Sequence, residues 1–242
     1  MFKLTLSRTL AASMLLATPI VYGQQSDVSG RLFETTTATN SAALAIGSGA
    51  SAGIGGISIA NSKFNGTAVS TTIALNSAAL AIGSGASARL GGIEMKGNSD
   101  VAGTLTDTSA VTNSAALAIG SGADASIGGI SVAGSKFNGT ATSTTTALNS
   151  AALAIGSDAS ARLGGIAIEN NSDVTGTLTA TTMVTNSAAL AIGSGADADI
   201  GGIMMSNSKF NGTATSTTTA VNSAALAIGS SANAHIGGIT VK

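Results

Sequence analysis

Apolar and small polar residues alternate with a period of two in short stretches that recur along the whole chain. In AALAI, which begins at Ala42, one alanine, the leucine and the isoleucine share one parity, and the other two alanines take the opposite parity. GGISI alternates in the same way, with Ile57 and Ile59 on either side of Ser58. This alternation predicts half-buried β-strands over a thin aliphatic core, and helices are not expected.

The two isoleucines of GGISI are replaced only by other apolar residues in later copies, whereas the residue between them changes freely. The pairs are Ile57/Ile59, Ile93/Met95, Ile130/Val132, Ile166/Ile168, Ile203/Met205 and Ile239/Val241. The intervening residues are Ser58, Glu94, Ser131, Ala167, Met204 and Thr240. We therefore predict that the pairs face the core and that the intervening residues face solvent.

A longer segment, NSAALAIGSGASAGIGGI, is repeated six times with small changes. The copies begin at Asn40, Asn76, Asn113, Asn149, Asn186 and Asn222. Successive copies start 36 or 37 residues apart in alternation, so the full period is 73 residues. A fixed period in this range indicates a solenoid. The predicted fold is all-β, a β-solenoid (β-helix or β-roll) of six units of about 36.5 residues in three double repeats. Its handedness, and whether a unit forms one coil or two, stay open.

Glycine follows each AALAI segment. The positions are Gly47, Gly83, Gly120, Gly156, Gly193 and Gly229. We predict turns there, because glycine allows both tight turns and the close approach of stacked backbones.

One charged position alternates in sign from unit to unit. It lies thirteen residues before each repeated asparagine and is occupied by Asp27, Lys63, Asp100, Lys136, Asp173 and Lys209. Stacking places each inner lysine between two aspartates, whereas identical charges would repel along the axis. We predict that the alternation sets the register of the stack more than its stability, because an exposed ion pair contributes only about 0–1 kcal/mol.

The repeated asparagines form a second series that we expect to contribute to register. Stacked asparagine amides can hydrogen-bond along the axis, as in cross-β ladders. Asparagine can also begin a turn through its own side chain, and both interpretations stay open. A parallel threonine series consists of Thr35, Thr71, Thr108, Thr144, Thr181 and Thr217.

The first residues differ in character from the repeats. Two cationic residues, Lys3 and Arg8, are followed by an apolar run. Pro19 interrupts this run, which is too short to span a membrane. Small or flexible residues then lead to Gly23. These features predict a secretory signal peptide at residues 1–23. The remaining residues, 24–242, form a single repeat domain with a half-unit at each end. We therefore expect a bacterial protein that is secreted to the extracellular space or the cell surface.

The chain offers few residues for catalysis or metal binding. The only histidine is His235, and the equivalent positions hold Gly53, Arg89, Ser126, Arg162 and Asp199. A position that varies in this way is predicted to lie on the surface. An enzyme acting on polysaccharide would need clustered carboxylates, but the candidates are scattered at Asp27, Glu34, Glu94 and Asp100. We therefore expect no enzyme, no metal and no cofactor.

Charge narrows the choice of partners. The net charge is −1 and cysteine is absent, and removal of residues 1–23 takes away two cations and no acid. The resulting weakly acidic chain has no basic patch for nucleic acid. Contact with a membrane is not expected after the signal peptide is cleaved. The expected partner is the chain itself, with cell-surface or matrix components as further candidates.

AALAIGSGASA resembles the SVAIGxGAxA repeats in the heads of trimeric autotransporter adhesins, which are secreted left-handed β-rolls. The chain differs in its longer period, and it ends at GGITVK without the coiled-coil stalk or membrane-anchor barrel of that family. The export signal and the asparagine-bearing repeats also resemble curli-like functional-amyloid subunits, although the Gln/Asn spacing of those subunits is not reproduced. These resemblances imply an extracellular repeat protein.

The sequence therefore predicts a secreted structural protein that assembles head to tail into an extracellular fibre for a biofilm matrix, a surface coat or adhesion. At the joint, residues 24–39 and 222–242 complete one another, and neither segment looks like a cap. The alternative is a monomeric solenoid module, such as an adhesin or an ice-binding protein. Against ice binding, the threonine-rich stretches are interrupted by Val69, Leu105 and Leu178, with Ile73, Ala110 and Met183 in place of threonine further on.

Overall fold

The computed structural model describes residues 3–11, 20–22 and 27–241, which form a parallel β-solenoid without helices. About six turns of about 36 residues stack along one axis, which confirms the predicted fold class. The other residues of the predicted signal peptide, Gly23 included, lie outside the described residues. Within the described ranges, no helix is long and apolar enough to cross a membrane.

Each turn contributes one strand to each of four parallel sheets. Sheet 1 contains β1 (Lys3–Ala11), β3 (Asp27–Thr39), β7 (Lys63–Leu75), β11 (Asp100–Thr112), β15 (Lys136–Leu148), β19 (Asp173–Thr185) and β23 (Lys209–Val221). Sheet 2 contains β4 (Ala42–Ile46), β8 (Ala78–Ile82), β12 (Ala115–Ile119), β16 (Ala151–Ile155), β20 (Ala188–Ile192) and β24 (Ala224–Ile228).

The other two sheets are built from shorter strands. Sheet 3 contains β5 (Ser51–Ile54), β9 (Ser87–Leu90), β13 (Asp124–Ile127), β17 (Ser160–Leu163), β21 (Asp197–Ile200) and β25 (Asn233–Ile236). Sheet 4 contains β2 (Ile20–Tyr22), β6 (Ile57–Ala60), β10 (Ile93–Lys96), β14 (Ile130–Ala133), β18 (Ile166–Glu169), β22 (Ile203–Met205) and β26 (Ile239–Val241).

Each repeat unit forms one turn, which settles the number of coils per unit. In the strand register, Lys63 lies opposite Asp27 of the preceding turn and opposite Asp100 of the following turn. The alternating step length arises at the corner between sheets 4 and 1, where two residues connect β6 to β7 but three connect β10 to β11. The 73-residue period therefore reflects an alternating corner length, while the strands stay in register.

The interior consists of two thin aliphatic cores. The first core lies between the C-terminal halves of the sheet 1 strands and sheets 2 and 3, and alanines such as Ala74 and Ala79 dominate it. The second core lies between the N-terminal halves of the sheet 1 strands and sheet 4, and it contains larger residues such as Phe64. Ile57 and Ile59 are buried in the second core, so the predicted inward direction of the isoleucine pairs is confirmed.

A waist separates the two cores, where the Gly-Gly pair between sheets 3 and 4 touches the middle of sheet 1. A Cβ atom at Gly164 would lie 2.7 Å from Thr182 Oγ1 and 2.8 Å from Thr145 Cβ. Gly164 also has a φ of +71°, which residues with a side chain rarely adopt. Glycine is therefore required here, and the cross-section of the solenoid is pinched at this point.

Candidate functional site

Sheet 2 buries its small residues and exposes its large ones. Ala79 and Ala81 are 1% and 0% exposed, whereas Leu44 and Ile46 in the first turn are 53% and 72% exposed. This reverses the usual preference, in which leucine and isoleucine are buried first. Alanines of sheets 1, 2 and 3 fill the narrow first core, and the leucine and isoleucine side chains therefore point outward.

We name the outward residues of sheet 2 the Ala-Leu-Ile face. Its residues are Ala42, Leu44, Ile46, Ala78, Leu80, Ile82, Ala115, Leu117, Ile119, Ala151, Leu153, Ile155, Ala188, Leu190, Ile192, Ala224, Leu226 and Ile228. Strand pairing aligns the three residue types in columns along the axis. In the inner turns the leucines and isoleucines are half-buried, because neighbouring turns cover their sides.

The Ala-Leu-Ile face is large for a surface with no polar side chain. Five residues at about 3.3 Å and six strands at about 4.8 Å give a face of about 480 Å². The largest apolar patch on a typical monomer covers about 300–600 Å² and is often functional, so a face of this size marks a candidate interaction site. The face is therefore the main candidate for an interaction surface.

The predicted asparagine series borders the Ala-Leu-Ile face on one side. Every member has a φ between +48° and +51°, a left-handed conformation that asparagine tolerates better than most residues. Asn76 Nδ2 donates a hydrogen bond to Asn40 Oδ1 at 3.3 Å, and Asn149 Nδ2 donates one to Asn113 Oδ1 at 3.1 Å. The asparagines therefore form turns and, at these two steps, an amide ladder.

The predicted turn glycines border the face on the other side. They have φ values between +142° and +149°. A Cβ atom at Gly83 would overlap the carbonyl oxygen of Gly47, and the four later members of the series meet the same obstacle. These positions therefore need glycine both for the turn and for the close approach of stacked backbones.

Sequence reasoning missed a ladder of buried serines directly after the asparagines. Ser114 Oγ donates to the carbonyl oxygen of Thr112 at 2.8 Å and accepts from the Ser77 N–H at 3.0 Å. The same pattern recurs at Ser150 and Ser187. The Asn-Ser dipeptide at the start of every unit is the signal for this ladder in the sequence.

The alternating aspartates and lysines occupy the first position of the sheet 1 strands and stack in register. All six side chains are exposed. Within residues 27–241, no ion pair within 4.0 Å includes any of them. Their contribution to register stays a prediction, and it rests on neighbouring charges rather than on close ion pairs.

The outer face of sheet 1 carries a threonine array, which we name the Thr face. Leu105 and Leu178 do not interrupt it as the sequence suggested, because both point into the second core and are buried. Val69 does lie on the outer side, in register with Thr106. In turns three to six the array is continuous over Thr104, Thr106, Thr108, Thr140, Thr142, Thr144, Thr177, Thr179, Thr181, Thr213, Thr215 and Thr217.

A crease between sheets 3 and 4 contains the two positions that vary most between turns. We predicted that both positions lie on the surface. This is wrong for three of the six residues at the position of His235 and for four of the six residues between the paired apolar residues of sheet 4. Arg162 and Asp199, which are equivalent to His235, are 8% and 6% exposed. The other buried members of the two series are Ser58, Glu94, Ser126, Ala167 and Met204. The Gly-Gly pairs line the floor of this crease, so the residues on either side of them face one another and lose contact with water.

The charges in the crease stabilise one another. Arg162 forms ion pairs with Glu169 at 3.0 Å and with Asp124 at 3.4 Å. Glu94 forms ion pairs with both Arg89 and Lys96. Burial by itself raises the pKa of Glu94, but the two cations outweigh burial and hold this pKa below its usual value.

The carboxylates that we considered for catalysis do not converge. Asp27 and Asp100 are exposed at the start of sheet 1 strands, Glu34 is buried at the waist and Glu94 lies in the crease. In the part of the chain that the structure describes, no group of three or more histidine, cysteine, aspartate or glutamate residues could hold a metal ion.

Sequence reasoning also missed a fully buried carboxylate at the waist. Asp107 accepts hydrogen bonds from the N–H groups of Gly92 at 3.1 Å and Gly129 at 2.8 Å, and from the Ser109 hydroxyl at 3.0 Å. Burial nevertheless raises the pKa of Asp107 to about 7. Glu34 lies two turns earlier in the same column of sheet 1, and burial raises its pKa as well.

We expect the free energy of unfolding to increase as the pH falls from 8 to 5. The folded pKa of Asp107 lies above the unfolded value of about 3.9, so the folded state binds more protons in this interval. Stability is therefore lost as the pH rises through about 7. Asp107 alone should account for a difference on the order of 2–3 kcal/mol between pH 5 and pH 8.

Urea unfolding of the wild type and of Asp107→Ser at both pH values measures this effect. Serine is a conservative choice, because Ser70 and Ser143 occupy the same column in the neighbouring turns. The variant should lose most of the pH dependence and keep the share that Glu34 contributes. An undiminished pH dependence in Asp107→Ser would show that Asp107 is not its source.

Comparisons with known proteins give no match to a family model, to a curated protein or to a solved structure. The resemblance to adhesin heads and curli-like subunits therefore stays a hypothesis based on short motifs.

Proposed function

We propose that this protein is a secreted structural protein whose mature chain, residues 24–242, stacks head to tail into an extracellular fibre. The observation that carries the proposal is the strand pairing at the sixth turn. Within the described residues, β23, β24, β25 and β26 each pair on one side only. Their unpaired N–H and C=O groups form a template for further strands.

The sixth turn also exposes apolar side chains that interior turns bury. Ile236 is 52% exposed, whereas its register partner Ile200 is 0% exposed. Val241 is 73% exposed, whereas its partner Met205 is 5% exposed. A further turn of the same kind would cover these residues, and burial of apolar surface would favour the joint.

The first turn of another copy fits this edge. Strand β1 covers β3 in the described structure, so the proposal requires that residues 1–23 are removed first. Strands β3 and β23 both have thirteen residues, and sheets 2 and 3 also begin and end with strands of equal length. Placing Asp27 beside Lys209 continues the alternation of charge across the joint.

Negative-stain electron microscopy of the mature chain after dilution from denaturant tests the proposal. We expect long unbranched filaments with a subunit repeat of about 29 Å, since each copy adds six turns of about 4.8 Å. Uniform short rods would contradict the fibre. They would favour the alternative, a monomeric solenoid that binds a ligand or a surface through a flat side such as the Thr face.

A pair of matched variants separates the joint from general effects of charge. Ile236→Lys with Val241→Lys places two lysines in the joint, where they would be buried without partners, so filaments should be absent. Thr217→Lys with Thr219→Lys adds the same charge to the outer side of the same turn, and filaments should form. Filaments of the first variant would contradict the joint.

A further inference from the structure

We infer that the Ala-Leu-Ile face packs against the same face of a second copy of this chain. The face is a second interaction surface that head-to-tail stacking does not use, because it lies parallel to the axis. Within the described residues nothing covers the outer side of the face. Leu44 and Ile46 at one end are 53% and 72% exposed, and the leucines and isoleucines of the inner turns are half-buried. The pairing is lateral, between two solenoids.

The repetition of the face favours a second copy as its occupant. All six sheet 2 strands have the sequence AALAI, and the register aligns leucine with leucine and isoleucine with isoleucine in adjacent turns. The columns therefore repeat every ~4.8 Å along the axis. Another solenoid of this chain carries ridges and grooves with the same repeat, so the two faces can interdigitate as a dry sheet-to-sheet contact.

The charges around the face disfavour a lipid surface. Sheet 2 and the connections on either side of it contain no lysine or arginine, and Asp158 is the charged residue in these connections. Peripheral attachment to anionic lipids normally needs cations beside the apolar surface. A second copy needs no such cations, because both faces are uncharged.

The area of the face determines when pairing becomes stable. Two faces of about 480 Å² bury about 960 Å² in an isolated pair, which is below the 1,200–2,000 Å² of most stable interfaces. Three copies stacked head to tail would bury about three times as much. Lateral pairing is therefore weak between single copies, and its strength in filaments rests on the proposed fibre. We expect filaments that contain two solenoids side by side.

Filament width and mass per length, measured by scanning transmission electron microscopy, test the pairing. The wild type should have twice the mass per length of a single solenoid. Leu117→Lys with Leu190→Lys places charge in the dry contact, so this variant should form filaments of half that mass with an unchanged axial repeat. Thr108→Lys with Thr181→Lys adds the same charge to the Thr face of the same turns and should leave the filaments paired.

The outcomes distinguish the pairing from the fibre. Single-solenoid filaments of the wild type, or a leucine variant that stays paired, would overturn the pairing and leave the fibre intact. Bundles of three solenoids around a common axis would also overturn it. If the wild type forms no filaments, the fibre fails, and sedimentation equilibrium then decides the pairing. A weak wild-type dimer whose Kd rises at least tenfold in Leu117→Lys with Leu190→Lys supports the pairing. A wild type that stays monomeric at every concentration overturns the pairing.

Discussion

Replacing Gly139 by alanine is expected to lower the free energy of unfolding by about 3 kcal/mol or more. Gly139 lies within β15, where the thirteen-residue strands of sheet 1 stack. A Cβ atom there would overlap the carbonyl oxygen of Gly103 in the preceding turn, and the φ of +152° is unfavourable for alanine. Neither backbone can move away without breaking the sheet 1 hydrogen bonds.

Urea unfolding monitored by circular dichroism measures this loss. Thr140→Ala is the matched control, because Thr140 is the next residue of the same strand and is exposed. Its effect should stay within about 0.5 kcal/mol. Equal effects of the two substitutions would mean that the glycine column does not limit how closely the turns approach. The column consists of Gly30, Gly66, Gly103, Gly139, Gly176 and Gly212.

Replacing Arg162 by alanine is expected to cost about 3–5 kcal/mol at pH 7, because it leaves buried carboxylate charge in the crease without its cation. Arg162 pairs with Asp124 and Glu169, and the buried Asp199 also interacts with it electrostatically. The loss should persist in Arg162→Met, which keeps much of the packing of the side chain but removes its charge.

Arg31→Ala is the matched control for this prediction. Arg31 is exposed on the outer side of sheet 1, so its removal should have little effect. Urea unfolding of the wild type, Arg162→Ala, Arg162→Met and Arg31→Ala at pH 7 gives the comparison. A loss in Arg162→Met that is much smaller than the loss in Arg162→Ala would show that lost packing of the side chain, rather than uncompensated charge, causes it.

The repeat pattern was sufficient to predict the fold because a parallel solenoid is built from local rules. The period predicted a stack of similar units, and the alternation in GGISI predicted the inward isoleucines. Each of these depends on residues close in sequence or on the same residue one turn away. Such contacts are visible in a repeated sequence without knowledge of the cross-section.

The repeat pattern was not sufficient to predict which residues are buried where burial depends on the cross-section of the solenoid. The alternation in AALAI could not tell which parity is buried, and only the narrow first core shows that alanine fits inside while Leu44 and Ile46 stay outside. The freely varying positions around Arg162 look like a solvated surface in the sequence. They are buried because two sheets face one another across the Gly-Gly pair. Ion pairs compensate the variation in charge, both within a turn, as in Arg162–Glu169, and between neighbouring turns, as in Arg162–Asp124.

The sequence by itself determined that this chain is a stack of similar turns built from β-strands. Backbone pairing between similar turns requires only that their strand lengths match, and a repeated sequence shows this directly. The tertiary structure alone decided which side of each strand meets water, because that depends on the distance between opposing sheets. The waist sets this distance. It buries Asp107 and the charges of the crease, and it leaves the Ala-Leu-Ile face uncovered.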